Sequence, residues 1–416
     1  MKRSLMLSAI ASTIVIAGGT IVPKVLDVET VKITKDTGSF SEALQNGTFS
    51  VDAKLMYFNR DWDNDKKNDP SALTIGGIMK YESKPYMGMK VGFAYYTSHR
   101  VADIFDKEES LGSSMLDAKD GGSIDILGEA YLDFAYANSS LRVGRQKMSV
   151  PNVTQRNIRL LPITHEAVVF KNSDIKDTDI ELGYVKSYTS LGARANGFSE
   201  IDNGVGSNGD NGVSYIHIAN KSIPNTTIKA EYLISNSDED RNGKQINHEN
   251  STWMEISHNL VNIGNKTFIK VHGGSSSYAL EDDAMYYGGK LGTTILGVDV
   301  EVLYDKVVDN KLFFGFSPPP LYSDWYIGYD NYEASTAFGA AITFYPFSGM
   351  DCMIGAVDIT ADEGNTDDDY LEINAVVNYK ISNNSSFQFR YENRDQSDES
   401  GKDDMQDIAL RYSYSF

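Results

Sequence analysis

The chain has 416 residues, of which 41% are hydrophobic, and its 58 acidic and 38 basic side chains give a formal net charge of −20. That charge argues against a nucleic-acid binder, because attraction to phosphate supplies most of such affinity, and against a basic surface for anionic lipid. Cys352 is the only cysteine, which excludes an intrachain disulfide scaffold.

At the N-terminus, Lys2 and Arg3 precede an apolar stretch from Leu5 to Ala17, the form of a secretory signal. Ala17 and Gly19 are small residues suited to a cut near Gly19–Thr20, and no cysteine follows for lipoprotein processing. The apolar run is shorter than the ~20 residues of a spanning helix, and no later stretch approaches that length. We therefore expect a leader over 1–19, a periplasmic segment over 20–48 and one domain over 49–416. Loss of Lys2 and Arg3 would take the net charge from −20 to −22.

From residue 48 the dominant period is two. Val51, Ala53, Leu55 and Tyr57 alternate with Asp52 and Lys54, and Leu73, Ile75, Met79 and Tyr81 repeat the pattern. Met89, Val91, Phe93 and Tyr95 follow, then Ile124, Ile126, Ala130, Leu132 and Phe134 among Asp125, Glu129 and Asp133. Leu296, Val298, Val300, Val302 and Tyr304 interleave with Asp299 and Glu301. Such alternation predicts strands with one apolar and one polar face.

The connections alternate in length. Residues 61–71, 98–122, 149–165, 189–212, 236–250, 306–331, 361–369 and 395–404 are long and polar, with a modest connection at 276–283. Between them lie short turns at 82–87, 137–140, 172–178, 220–225, 259–265, 292–294, 345–349 and 381–385. A soluble sandwich has no reason to collect its long loops at one end. A transmembrane barrel does, with antiparallel strands of ~9–11 residues, short periplasmic turns and long external loops. Hydrocarbon offers no partner to a free backbone amide, so such a sheet must close. The expected fold is all-β, a transmembrane antiparallel barrel of about 18 strands. Ile408, Leu410, Tyr412, Tyr414 and Phe416 alternate up to the last residue. Tyr412, Tyr414 and Phe416 fit an interfacial aromatic girdle, and the terminal aromatic is similar to the signal read by the barrel-assembly machinery.

Few motifs suggest chemistry. Gly204, Gly206 and Gly209 have dinucleotide-fingerprint spacing, but they neither follow a strand closely nor open a helix. His165-Glu166 and His248-Glu249 lack the second histidine of a zinc helix. Asp61, Asp63 and Asp65 lack the glycine and glutamate of a calcium loop, and Asp367, Asp368 and Asp369 with Asp362 and Glu363 are weak calcium candidates in an acidic loop. No cofactor is implied. The region 141–170 is the functional candidate. Arg142 points opposite to Leu141 and Val143, with Arg145 and Gln146 next, and the loop 149–165 carries Pro151, Arg156, Arg159 and Pro162. That loop would fold inward, opposing its arginines to Asp125, Glu129 and Asp133 on the lumenal face of the preceding strand.

Three segments resemble the OprD-like family of outer-membrane porins, in its epsilonproteobacterial form. They are Ser41 to Gly47 with the first strand to Arg60, Gly76 to Glu82 leading to Ala94–Thr97, and Leu141 to Gln146 through Arg159–Pro162 to Ala167. The resemblance implies an 18-stranded monomeric barrel passing small hydrophilic solutes by diffusion. It also implies a lumenal ladder of basic residues, to which Arg142, Arg145, Arg156 and Arg159 would contribute. The function expected is a passive porin. The alternative is a surface-exposed structural or adhesin barrel acting through its loops, with Pro318 to Pro320 and Trp325 as a rigid contact. Expected partners are outer-membrane lipid and lipopolysaccharide, small solutes and ions, in a monomer or trimer.

Overall fold

The computed structural model describes residues 36–416 apart from 65–67, 103, 106, 190–196, 201–211, 237–247, 262–265, 314–319, 326–332, 363–368 and 397–402. The expected leader, Gly204 to Gly209, Asp65, Pro318, Pro319, Glu363, Asp367 and Asp368 lie outside the described residues. Eighteen strands form the wall. They are β1 (Thr48–Trp62), β2 (Ser71–Glu82), β3 (Met89–Arg100), β4 (Ile124–Tyr136), β5 (Ser139–Gln146) and β6 (His165–Asn172). Next come β7 (Thr178–Tyr188), β8 (Val213–Asn220), β9 (Thr226–Ser235), β10 (His248–Asn259), β11 (Phe268–Tyr278) and β12 (Ala284–Ile295). The last are β13 (Val298–Val308), β14 (Ser335–Phe344), β15 (Met350–Ala361), β16 (Tyr370–Lys380), β17 (Ser385–Gln396) and β18 (Met405–Ser415).

Each strand pairs antiparallel with its neighbours. The sheet closes where β18 meets β1, from Asp52 opposite Ser415 to Trp62 opposite Met405. Val51 and Phe416 exchange two backbone hydrogen bonds of 2.8 and 3.0 Å at the seam, so the terminal aromatic completes the wall. Leu55, Ile75, Phe93, Leu182, Ile234 and Val302 face outward and are exposed, whereas Lys54, Glu231, Lys290 and Arg390 point inward and are buried. This inversion of a soluble barrel is what hydrocarbon requires, since lipid solvates the apolar face and the lumen solvates the polar one.

Short turns and long loops alternate as expected. The turn expected at 292–294 sits instead at 296–297, because Thr293, Thr294 and Ile295 suit a strand and Leu296 and Gly297 supply the positive φ of a tight hairpin (52° and 83°). Ahead of β1 a one-turn helix, α1 (Phe40–Gln45), lies within the segment 20–48; its N-cap Ser39 accepts from the Glu42 amide.

One irregularity changes the polarity of a strand. Ala94 pairs with Glu129 but Tyr95 pairs with Leu127, so Gly128 is a bulge. Below it Glu129 and Asp133 face the lumen; above it Asp125 is turned outward, where it accepts from Thr97 at 2.7 Å and Tyr95 at 3.0 Å. The expectation that all three acids share the lumenal face is thus corrected at Asp125, because one extra residue inverts the alternation.

Gly77 has a φ of 140°, and a Cβ there would lie 1.9 Å from the Asp52 carbonyl oxygen. Gly77→Ala is expected to cost about 3 kcal/mol, read as a lower urea midpoint for the barrel folded in phospholipid vesicles.

Candidate functional site

The connection from β5 to β6 packs against the lumenal side of the wall through its apolar residues. Met148, Val150 and Val153 pack against Val169, Val185, Tyr215 and Leu233 of the wall. Leu160 packs against Met56, Phe58, Ala72 and Ala409. A two-residue hairpin pairs Ser149–Val150 with Val153–Thr154, and Asn152 donates to Glu231 of β9 from its backbone amide (2.9 Å) and its side chain (2.8 Å). The loop therefore bridges the barrel from β9 to the seam.

At the seam, basic side chains hold its backbone. Lys54 donates to the Leu160 carbonyl at 3.1 Å and Arg390 to the Ile158 carbonyl at 3.2 Å. Arg411 donates to the carbonyls of Asn157 and Arg159, both at 3.3 Å. Four consecutive carbonyls thus face three cations, which satisfies backbone that the loop itself leaves unpaired. Arg159 in turn donates to the Ser113 carbonyl at 3.1 Å, lies over the Phe58 ring at 4.0 Å, and approaches Asp407 at 3.8 Å. Asp407 is held by a two-point pair with Arg60 (2.6 and 2.7 Å).

The expected site residues divide. Arg156 and Arg159 are buried on the inserted loop, and Gln146 is buried with its amide donating to the Ala167 carbonyl at 3.1 Å. Arg142 is lumenal, but it pairs with Asp133 beside it on the same wall (2.7 Å) and covers the Tyr131 ring at 4.2 Å. Glu129 takes hydrogen bonds or ion pairs from Tyr96 (2.7 Å), Lys80 (3.2 Å) and Lys147 (3.6 Å). Arg145 is a correction. It shares the face of Leu141 and Val143, so it points outward, pairing with Glu166 at 2.9 Å and lying over Phe198 at 4.3 Å. Strand parity decides this, since Arg145 stands three residues after Arg142. Asp369 accepts from the Ala361 amide and so caps β15. Tyr412, Tyr414 and Phe416 are outward and exposed, as a girdle requires.

A second inward loop was not anticipated. The connection after β13 also enters the lumen, where Phe313 stacks on His248 (centroids 3.5 Å apart) and Tyr322 on His272 (3.9 Å). Tyr322 donates to Glu255 at 2.9 Å and the Ser323 amide to Asp305 at 2.7 Å. Burial and the Glu255 carboxylate hold the Tyr322 hydroxyl well above its ordinary pKa, so it stays a donor. Trp325, expected as part of an outer contact, packs inward against the wall beside Leu303 and Met353. Leu312, Phe313, Leu321 and Tyr322 are the sequence signal for this loop, being apolar residues in a long connection.

Below the first loop, on the short-turn side, lies a cavity of about 340 Å³. Lys54, Lys80, Lys147 and Arg411 line it with one carboxylate, Asp52, beneath a roof of Gln155, Asn157 and Pro162. The opposite wall carries buried Glu181, Glu231 and Glu255. Buried Lys229 stands on that wall as well, and the seam buries Glu392 and Asp407, so both walls carry charge of both signs.

Comparison with known proteins places this geometry. A family model described as an outer membrane porin of the OprD family matches residues 42–313. The structure is similar to Pseudomonas aeruginosa OccK9 (OpdG), at 15% identity and a TM-score of 0.76, over 90% of this chain and 100% of that one. It is also similar to Acinetobacter baumannii OccAB2, at 16% identity and a TM-score of 0.75, over 90% of this chain and 99% of that one. No match was found among curated proteins.

Each hydrogen bond to a charged donor contributes about 1.5–3 kcal/mol. Arg411→Gln removes two of the loop's carbonyl partners. Because Arg411 both holds the loop and lines the cavity beneath it, single-channel recording is expected to show larger and noisier openings together with a reversal potential moved towards cations. A shift with openings of unchanged size would assign Arg411 a solute-facing charge alone.

Proposed function

The chain belongs to the OprD family of outer membrane porins, and we propose that its selectivity is set where the inserted loop meets the cationic seam. The protein is a bacterial outer-membrane channel for small solutes, built as a closed barrel of eighteen strands. Diffusion would proceed without energy coupling or catalysis. The observation that carries the finer reading is the cavity under the loop, in which four cations face one carboxylate. Small hydrophilic anions would dwell there longer than cations of the same size, because low-dielectric walls strengthen the local field.

The long loops keep an adhesin role as the alternative, and here the geometry favours the channel. Two of those loops turn their aromatic and apolar residues into the lumen, leaving less surface for an external partner. In the membrane the outward aromatics would meet lipid and lipopolysaccharide, and the terminal Phe416 would serve assembly. We also propose that residues 1–19 are the leader removed on export.

Purified barrel in a planar bilayer under a salt gradient is expected to give steady ohmic openings with a reversal potential of anion preference. Lys147→Gln takes one cation from the cavity without touching a loop carbonyl, and is expected to move that potential towards cations at similar conductance. A folded but silent barrel would return the function to the loops.

A further inference from the structure

All eight short turns carry or adjoin a large apolar side chain that the protein leaves exposed. Met87, Ile175, Ile223, Leu296, Phe347 and Ile381 occupy six of them. Val261 stands in the turn after β10, and Tyr136 ends β4 at the turn before β5. Short hairpin turns ordinarily carry Asn, Asp and Gly, which tolerate positive φ and face water well.

Two of these turns make the departure sharper. Leu296 (φ 52°) precedes Gly297 (φ 83°), and Met87 (φ 51°) precedes Gly88 (φ 76°). Both are Xaa-Gly hairpins in which a long apolar residue holds the left-handed position that Asn occupies without strain. Leu296 is fully exposed and Met87 is 73% exposed. In water these choices lose twice, through backbone strain and through apolar hydration. Contact with an apolar medium reverses the second loss.

The distribution identifies that medium. A protein partner would cover one sector of the rim, yet the apolar tips recur at every hairpin around the barrel. They also continue the lipid-facing wall. Phe49 and Phe416 stand exposed at the same end, and so do Phe40 and Leu44 of α1, whose Leu44 carbonyl accepts from the outward-facing Tyr81. A polar neighbour in these turns is satisfied within the protein: Asp174 accepts from Asn138 at 3.1 Å and from Asn172 at 2.6 Å.

We propose that the short-turn rim is a closed ring of lipid anchors, seated at the headgroup–acyl boundary of the inner phospholipid leaflet. The orientation rests on the outer-membrane channel reading above. On this account the turns lie within the membrane interface rather than projecting into the periplasm, and the ring fixes the depth and tilt of the barrel.

The test uses the full barrel with Cys352→Ser and one introduced cysteine at a time, Met87→Cys, Ile223→Cys, Leu296→Cys or Ile381→Cys, each carrying a nitroxide. Lys176→Cys and Ser222→Cys are polar turn controls. In vesicles of phosphatidylethanolamine and phosphatidylglycerol, power saturation is expected to show oxygen accessibility above nickel-chelate accessibility at all four tips, and the reverse at both controls. Nickel dominance at the tips would overturn the proposal, as would protection confined to one sector, which marks a protein partner. Leu296→Asn supplies an independent reading, since Asn-Gly is the better turn in water. A lower urea midpoint in vesicles supports the ring, and a higher one overturns it. Conductance of the same labelled barrels separates this from the channel reading: normal openings with water-exposed tips sink only the ring, and silent barrels with lipid-exposed tips sink only the channel.

Discussion

A backbone amide inside hydrocarbon has no partner except another backbone group, and the architecture follows from that constraint. It forces closure, so β18 must find β1. Closure fixes strand parity, and parity assigns each side chain to lipid or lumen. Charge in the lumen is then unavoidable, because the face opposite the apolar one has nowhere else to go. Where parity breaks, at the Gly128 bulge, a carboxylate changes sides.

The same constraint operates a second time inside the barrel. A loop drawn into the lumen by Met148, Val150, Val153 and Leu160 brings unpaired carbonyls with it. Lys54, Arg390 and Arg411 satisfy them from the seam. These cations stand where a ladder guiding solute would stand, yet their donors are engaged by protein. Loop position and seam charge are for that reason one structural unit.

The sequence made the wall legible because alternation with period two and the length of connections both report directly on a closed sheet. The eighteen strands and the lumenal side of Glu129 and Asp133 are readable in this way. Asp125 and Arg145 were misassigned for different reasons. A bulge leaves no mark that distinguishes Gly128 from any other strand glycine, whereas the outward parity of Arg145 follows from its three-residue offset from Arg142. The seam clamp was beyond reach, because Lys54, Arg390 and Arg411 lie on the first and last two strands and meet the loop only through closure. The second inward loop was hidden by its length, which pointed to solvent although Phe313 and Tyr322 pointed inward.

At the seam, therefore, loop position and charge are coupled. A cation removed from the seam releases a carbonyl of the loop, so a change intended to alter charge also moves the constriction. Lys147 and Lys80 differ, because they pair with Glu129 rather than with loop backbone, and they can tune the field at fixed geometry. A substitution around Glu129 would leave the seam anchors in place, whereas one at the seam would leave the loop held by Leu160 against Phe58, Ala72 and Ala409, by the Val150 cluster and by Asn152 on Glu231.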